Sequence, residues 1–452
     1  TVNAAPPAPV APSITTQPQN VSVTAGQTAT FSVVAAGTAP LGYQWRRNGT
    51  EIAGATSASY TTPATTLADN GAQFSVVVSN GVGSATSGAA TLTVSGLSAR
   101  LAAGFAYHSL ALKNDGTVYG WGSNGNCQLD ALNSTAPSNG PVVVAPAGSA
   151  VAIASSLNSA MWLRPDGRIA ARGRDDNGEL GLGTVMTTSP FVRCSPVVNT
   201  VVTDGVVRLA SSVTSSAVIR SDGTLWVWGV DPGGYSAGQG ANRPASRIDL
   251  PVAAADVAMS SDYLLVLGVD GSVWFIGTNT YGQSGTGSTF SFTRTPARVP
   301  VTDAVAIAAG IQHAAALRRD GSVLTWGGNR WGEMGVGLAI DGPFAPIAVP
   351  GVTDVVRISA GGSTTYAIRR DGTVVAWGRL HPTSVVAGTS APITLALDRV
   401  VEIAVGLEHA AFLRDDGSVW TLGSNLRGEL GVPRLTTPSS PTPIQVPGIN
   451  LN

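Results

Sequence analysis

Short runs of alternating apolar and polar residues fill the chain and predict β-strands throughout. In the first part they are Val21–Thr24, Thr28–Val34, Tyr43–Arg46, Gln73–Val78 and Ala90–Val94. A period of two is the pattern of a half-buried strand, and Asn48-Gly49 between two runs favours a hairpin. About seven short strands between residues 13 and 96 predict a β-sandwich.

From residue 99 onward a strand pattern repeats seven times. An Asp-Gly pair recurs at Asp115, Asp166, Asp222, Asp270, Asp320, Asp371 and Asp416, with spacings of 51, 56, 48, 50, 51 and 45 residues. An aliphatic residue stands three positions before and three positions after each Asp, and a glycine stands seven positions after it. Asp-Gly between aliphatic runs predicts a type I′ hairpin, in which both central residues have positive φ.

Each repeat also contains two further strands, such as Thr295–Val299 and Ala304–Gly310. Four short strands per unit, seven times, predict a closed β-propeller, because ring closure leaves no exposed sheet edges. An open solenoid would need polar end caps, and these end units look like the middle ones. We expect the tail Pro443–Val446 to pair beside Ala99–Gly104 and close the ring. The predicted fold class is therefore all-β.

One tryptophan and its flanks carry a resemblance in the first part. Trp45, with Phe31–Val33 before it and Asp69–Val76 after it, resembles an immunoglobulin-like domain of the bacterial cell-surface type. The resemblance implies that the inter-sheet cysteines of that family would fall near Val33 and Val76, and its corner tyrosine near Phe74. We therefore expect apolar packing on Trp45 in place of the disulfide.

The repeated units resemble the regulator-of-chromosome-condensation repeat, as in His108–Gly122 and Trp326–Gly335. The resemblance covers about 350 residues and implies a seven-bladed propeller. Its members include a nuclear guanine-nucleotide exchange factor, bacterial effectors and a secreted β-lactamase inhibitory protein, so function must be argued from sites. The expected domains are an Ala/Pro-rich extended segment at 1–17, an immunoglobulin-like domain at 18–96 and a propeller at 97–452.

Composition excludes some partners. Charged residues make up 12% of the chain, and 26 basic against 27 acidic residues give a net charge of −1. A nucleic-acid partner is not expected, because no basic excess is available to neutralise phosphates. No apolar run reaches the 18 residues needed to span a bilayer, so we expect no membrane insertion. The opening Thr1–Val10 is typical of a mature terminus after signal removal, and predicts a secreted or cell-surface bacterial protein.

Cys127 and Cys194 are the two cysteines, too few for a disulfide scaffold or a thiolate metal site. Cys127 falls in a loop of the first predicted blade and Cys194 in a strand of the second. Adjacent blades bring them within reach of a disulfide, and two free thiols remain the alternative.

Catalytic motifs are missing from the sequence: we find no Gly-x-Ser-x-Gly, no phosphate-binding loop and no His-Glu-x-x-His. We expect no enzymatic activity and no cofactor. His108, His313 and His409 share one repeat position, but no carboxylate stands at ligand spacing, so we expect imidazoles bonded to loop backbone rather than a metal site. Glu179, Glu333 and Glu429 share the motif Gly-Glu-(Leu/Met)-Gly and are expected to brace loops.

Aromatic and polar side chains gather in the loops opposite the Asp-Gly hairpins, at what we call the top face. The candidate protein-binding residues are Phe105, Tyr107, Tyr235, Asp262, Tyr263, Tyr281, Gln312, Arg330, Trp331, Glu408 and Arg427. Aromatic residues and arginine on loop tips are typical of protein-binding surfaces.

The first functional hypothesis is a non-enzymatic secreted or surface protein that binds other proteins or copies of itself, as a subunit of a filament or surface layer. Only Arg46, Arg47, Glu51 and Asp69 are charged in the first 96 residues, and so little charge favours association. The alternative is a soluble inhibitor or receptor that caps a partner with the top face, similar to the β-lactamase inhibitory member. Nucleotide exchange and polysaccharide cleavage are less favoured.

Overall fold

Two all-β units make up the chain, Thr1–Leu97 and Ser98–Asn452. The computed structural model describes residues 8–24, 28–63, 65, 69, 71–95, 100–130, 137–175, 177–182, 192–199, 202, 204–230, 245–340, 342, 344–380 and 389–452. Within these ranges no helix has the length and apolarity needed to cross a membrane.

The first unit is an immunoglobulin-like sandwich. Its strands are β1 Ser13–Thr16, β2 Val21–Thr24, β3 Thr30–Ser32, β4 Val34–Ala36, β5 Gly42–Arg47, β6 Thr50–Glu51, β7 Ser59–Thr61, β8 Gln73–Ser79, β9 Ser84–Thr86 and β10 Ala90–Ser95. The main sheet has the order β2-β10-β8-β5-β6 with β9 beside β8, while β3 pairs with β7 and β1 with β4. β1 lies at the end of the segment expected to be extended, where the predicted strand pattern begins, and it pairs with β4.

Trp45 is a fully buried residue of the first unit's hydrophobic core. Its side chain is fully buried, and Val33 and Val76 pack in the same cluster, as expected in place of a disulfide. Phe74 stacks on Phe31 with ring centroids 4.5 Å apart. The indole Nε1 of Trp45 donates to the carbonyl of Ser57 at 2.9 Å, so the buried polar atom is satisfied.

The second unit consists of seven four-stranded blades. Blades 1 to 4 contain β11 Leu101–Ala102, β12 His108–Leu112, β13 Val118–Gly122 and β14 Ser138–Ala145; β15 Ala152–Ser155, β16 Ser159–Leu163, β17 Ile169–Arg174 and β18 Val192–Val198; β19 Val206–Ser211, β20 Ser215–Arg220, β21 Leu225–Gly229 and β22 Ser246–Ile248; β23 Ala254–Met259, β24 Tyr263–Gly268, β25 Val273–Asn279 and β26 Phe290–Val299.

Blades 5 to 7 contain β27 Ala304–Ala309, β28 His313–Arg318, β29 Val323–Gly327 and β30 Phe344–Ala348; β31 Val355–Gly361, β32 Thr364–Arg369, β33 Val374–Gly378 and β34 Thr389–Thr394; β35 Val400–Val405, β36 His409–Arg414, β37 Ser418–Ser424 and β38 Ser439–Asn450. All neighbouring strands within a blade are antiparallel, and the first strands of successive blades pack on one another around the axis, as β27 does on β31 and β31 on β35.

The Asp-Gly pairs form hairpins at the predicted places, but the type I′ prediction is wrong. Only the glycine of each pair has positive φ, such as 83° at Gly116. The Gly116 N–H donates to the carbonyl of Lys113 at 2.9 Å, which makes a three-residue loop ending in a left-handed glycine. The aspartate carboxylate accepts the N–H two residues later, as Asp115 does from Thr117 at 2.9 Å, and this bond favours the observed turn.

The glycine seven positions after each Asp is fixed by both backbone conformation and space. Gly327 has a φ of 98°, and a Cβ there would lie 2.6 Å from the carbonyl oxygen of Gln312. The other six equivalents also have positive φ and an equally close loop carbonyl. The repeated glycine therefore lets the third strand of each blade pass against the loop that opens the second.

The ring closes differently from our expectation. The C-terminal strand β38 pairs with β37 inside blade 7 and does not pair beside the first strand of blade 1. Blade 7 is thus built from four consecutive strands, and side chains join it to blade 1: the Glu402 carboxylate accepts the backbone N–H groups of Arg100 and Leu101 at 2.8 and 3.0 Å.

Cys127 and Cys194 are joined by a disulfide between the top loop of blade 1 and β18 of blade 2. Cys127 has a φ of 57°, in the left-handed region. The equivalent loop positions of other blades are Gly178, Gly282, Gly332 and Gly428, all with positive φ. A cysteine at a position where other blades have glycine adopts a strained backbone conformation. The stabilisation by the disulfide offsets the energetic cost of that strain.

We predict that Gly327→Ala lowers the free energy of unfolding by about 2 kcal/mol or more, because strain at positive φ adds to a steric clash. Gly337 is the matched control: its φ is 80°, but no atom lies within 4 Å of a Cβ built there. Gly337→Ala should cost only about 1 kcal/mol. Urea unfolding of both variants measures the difference, and equal losses would contradict the proposed clash.

Candidate functional site

The top face consists of two sets of loops. One set links the first and second strands of each blade, and the other links the third and fourth strands. Both lie at the end opposite the Asp-Gly hairpins, because each hairpin joins the second strand to the third. The inner loops of the first set are tightly packed, whereas the second set presents the exposed side chains.

Each loop of the first set ends in a buried side chain, seven positions before the Asp of the Asp-Gly pair. This side chain is often hydrogen-bonded to the next blade. Nε2 of His409 is hydrogen-bonded to Oγ of Ser109, and Nε2 of His313 to Oγ1 of Thr365, each at 2.8 Å. The hydroxyl of Tyr263 donates to the carbonyl of Gly310 at 2.9 Å. His313 and His409 thus have a structural role, with side-chain hydroxyls rather than loop backbone as the partners of Nε2.

The three histidines are uncharged at neutral pH. Burial lowers the pKa of His108 to about 3, with a further lowering by His409, and burial lowers the pKa of His313 and His409 to about 4. Ala160 stands in blade 2 where a hydroxyl would meet His108, so the pattern differs there. Among the described residues no group of three or more His, Cys, Asp or Glu side chains is arranged to hold a metal ion.

The repeated glutamates brace the second set of loops, as predicted. The carboxylate of Glu333 accepts the N–H of Trp331, and that of Glu429 accepts the N–H of Arg427, both at 2.7 Å. Glu179 accepts the N–H of Asn177 at 2.9 Å. These acids are buried and bonded within their own turns. They therefore fix the conformation of the top-face loops from the buried side.

Two candidate binding residues were placed wrongly by the sequence. Phe105 and Tyr263 are 2% and 0% exposed, because their loops turn inward towards the blade interfaces, and neither can contact a partner. Tyr235 lies outside the described residues. Tyr281, Arg330 and Arg427 are exposed, and Tyr107, Asp262, Gln312, Trp331 and Glu408 are partly exposed.

The exposed arginines stack on aromatic rings across blade boundaries. The guanidinium of Arg427 in blade 7 lies 3.7 Å from the ring centre of Tyr107 in blade 1. Arg330 and Arg379 flank Trp331 at 5.6 and 4.9 Å. Sequence reasoning missed Arg379, although its position directly after Trp377-Gly378 marks the start of a top loop.

A cavity of about 210 Å³ joins the two stacks. Tyr107 and Arg379 both line it, together with Thr364, Leu407 and Glu408. Blades 1, 5, 6 and 7 contribute its wall, which includes Ile311 of blade 5. One member of each arginine–aromatic contact, Tyr107 in one and Arg379 in the other, therefore lines the same cavity.

Comparison with known proteins identifies both units. Residues 99–128, 304–332 and 400–429 match one model of the regulator of chromosome condensation (RCC1) repeat, and residues 270–317 and 320–368 match another. Residues 11–94 match the immunoglobulin domain. Regulator of chromosome condensation of Mus musculus is 35% identical over 179 residues, which are 36% of this chain and 42% of the mouse protein. The chain thus spans less than half the length of such curated relatives.

Solved structures share the propeller fold at low identity. The crystal structure of yeast RCC1 (Prp20) bound to Kap60 aligns with a TM-score of 0.63 and 20% identity, over 73% of this chain and 83% of that chain. Human WBSCR16 aligns with a TM-score of 0.66 and 18% identity, over 74% and 95%.

We predict that acid weakens the propeller through its buried histidines. Their folded-state pKa is lowered, so the neutral forms contribute stability that is complete above the unfolded value of 6.5 and is lost as pH falls towards 4. Each histidine contributes a slope of about 1.4 kcal/mol per pH unit in that window. Urea unfolding of wild type and His313→Gln between about pH 7 and pH 4 checks this. As pH falls, His313→Gln should lose less free energy of unfolding per pH unit than wild type does. An equal slope in the two proteins would contradict the prediction.

Proposed function

We propose that this chain, an RCC1-repeat propeller with an N-terminal immunoglobulin-like domain, is a non-enzymatic protein-binding component that acts outside the cell. The top face of blades 1 and 4 to 7 is the contact surface. The observation that carries the proposal is the set of exposed aromatic, arginine and leucine side chains on braced loops of that face.

The exposed apolar side chains support this choice of face. Leu338 and Ile340 are both 58% exposed, Leu426 is 60% exposed and Tyr281 is 41% exposed, and all four lie in loops between third and fourth strands. Tyrosine, tryptophan and arginine dominate the energetics of protein interfaces. Bracing by buried glutamates holds these loops in place before binding, which reduces the entropy cost of association.

The opposite end of the propeller has a different character. Its exposed apolar residues include the valines Val207, Val356 and Val401 near the start of first strands. Its arginines face aspartates, as Arg399 does Asp415 and Arg414 does Asp398. Arginines and aspartates that already pair within the chain gain less from pairing with the charged groups of a partner.

A location outside the cell is supported by the disulfide, because such bonds persist in oxidising compartments. Protein binding is a use of this fold in at least one relative, since yeast RCC1 is bound to Kap60 in its crystal structure. A non-enzymatic role is supported by the buried histidines and glutamates, whose bonds serve packing and turns.

We predict that Tyr107→Ala/Tyr281→Ala/Trp331→Ala abolishes capture of a partner from the growth medium of the producing cells, because it removes the aromatic anchors of the top face. Val207→Ala/Val356→Ala/Val401→Ala, at the opposite end, is the matched control and should capture as wild type does. Pull-down with immobilised full-length chain, followed by mass spectrometry, is the measurement. Loss in the valine variant alone would assign binding to the other end.

Self-association through the first unit is a second candidate function. Its four charged residues pair with each other, Arg46 with Glu51 at 2.9 Å and Arg47 with Asp69 at 2.6 Å. The unit therefore has no unpaired charge, while Val34 and Val82 are 55% and 51% exposed. A surface without net repulsion favours association.

We predict that the full chain shows concentration-dependent oligomers in analytical ultracentrifugation, and that Val34→Lys/Val82→Lys shifts them towards monomer by charge repulsion. Val34→Thr/Val82→Thr, which adds no charge, is the control. A monomer at every concentration would reject the filament hypothesis and leave the top-face proposal intact.

A further inference from the structure

Arginine is used differently at the two ends of the propeller. At the Asp-Gly end, Arg220 pairs with Asp204, Arg318 with Asp320 and Arg414 with Asp398. On the top face, Arg330, Arg379 and Arg427 have no carboxylate within 4 Å and no side-chain hydrogen bond among the described residues. Within the part of the chain that the structure describes, these three guanidinium groups therefore form no ion pair within 4 Å.

These three guanidinium groups are held in place by aromatic rings. Arg427 lies over the ring of Tyr107, and Arg330 and Arg379 both lie over the ring of Trp331. Stacking uses the flat face of a guanidinium and leaves its N–H edge free to bond carboxylate oxygens in pairs. We call Tyr107, Arg330, Trp331, Arg379 and Arg427 the arginine sector.

The arginine sector is one surface. Trp331 contacts two of its arginines, and Tyr107 and Arg379 line the same cavity. The only described carboxylate lining this cavity is that of Glu408. The acids of the underlying turns, Glu333 and Glu429, are buried and bonded to backbone N–H groups. Burial raises the pKa of Glu429, and the nearby charge of Arg427 opposes that rise, but neither acid forms an ion pair with the arginine sector among the described residues.

We propose that the arginine sector binds an acidic segment of the partner protein, with glutamate or aspartate side chains on the guanidinium edges and an apolar side chain against Leu426. The proposal rests on the proposed function and names the chemistry of its partner. Leu426 is 60% exposed and precedes Arg427 directly. An apolar neighbour favours a protein segment over an acidic polysaccharide, and a net charge of −1 disfavours nucleic acid.

A short fluorescein-labelled peptide of alternating glutamate and leucine serves as the probe, with a glutamine-for-glutamate peptide as its neutral counterpart. Fluorescence anisotropy with the full chain should show binding of the acidic peptide that weakens as salt is raised. Arg330→Gln/Arg379→Gln/Arg427→Gln should weaken it by about tenfold or more. The corresponding lysine variant, which keeps the charge but not the paired N–H edge, should bind with intermediate affinity.

Arg164→Gln/Arg247→Gln/Arg399→Gln, at the Asp-Gly end, removes the same charge from arginines that are already paired and should bind as wild type does. Equal weakening in both triple variants, equal binding of the neutral peptide, or tighter binding of oligogalacturonate than of the acidic peptide would each overturn the proposal. If the top-face glutamine variant still captures the natural partner while the aromatic variant does not, the acidic-segment proposal fails and the top-face function stands.

Discussion

The propeller depends on a hydrogen bond repeated between neighbouring blades. A buried tryptophan indole donates to a carbonyl in the top loop of the preceding blade: Trp228 to Glu179, Trp326 to Gln283, Trp377 to Glu333 and Trp121 to Glu429, at 2.7 to 2.9 Å. At these four interfaces the bond satisfies the one polar atom of a large apolar side chain that is buried between two sheets. In blade 2 Arg172 stands in place of the indole and donates to the carbonyl of Leu129, whereas the apolar side chains of Ile276 in blade 4 and Leu422 in blade 7 occupy the same repeat position.

Hydrogen bonds between neighbouring blades also close the ring, and no described strand is exchanged between blades 7 and 1. Trp121 reaches back to blade 7, Ser109 bonds His409, and Glu402 accepts the N–H groups at the start of β11. Burial raises the pKa of Glu402, while the nearby charge of Arg357 and the backbone N–H groups oppose that rise. Blade 7 is complete in itself, so closure rests on these side-chain bonds together with backbone bonds between the two blades, such as that from the Asn114 N–H to the carbonyl of Leu451 at 3.1 Å.

A rigid ring explains how the top face can be specific. The indole bonds end at the turns whose glutamate side chains fix the exposed loops, so the core and the loop tips share one framework. Arginine–aromatic stacks then span blade boundaries, with Arg427 on Tyr107 across the closure and Arg379 on Trp331 between blades 6 and 5. Binding groups that are positioned in advance lose less entropy on association.

The sequence by itself determined the features that repeat locally. Asp-Gly phasing and the glycine seven positions later located seven hairpins, because period and turn chemistry act over a few residues. The resemblance to an immunoglobulin-like domain placed Trp45, Val33 and Val76 in the sandwich core. Tertiary structure decided the turn type, the burial of Phe105 and Tyr263, the stacking of Arg379 and the closure at Glu402. These depend on which blade lies opposite a side chain, and packing across interfaces joins residues that are far apart in the chain, such as Arg100 and Glu402, which are 302 positions apart.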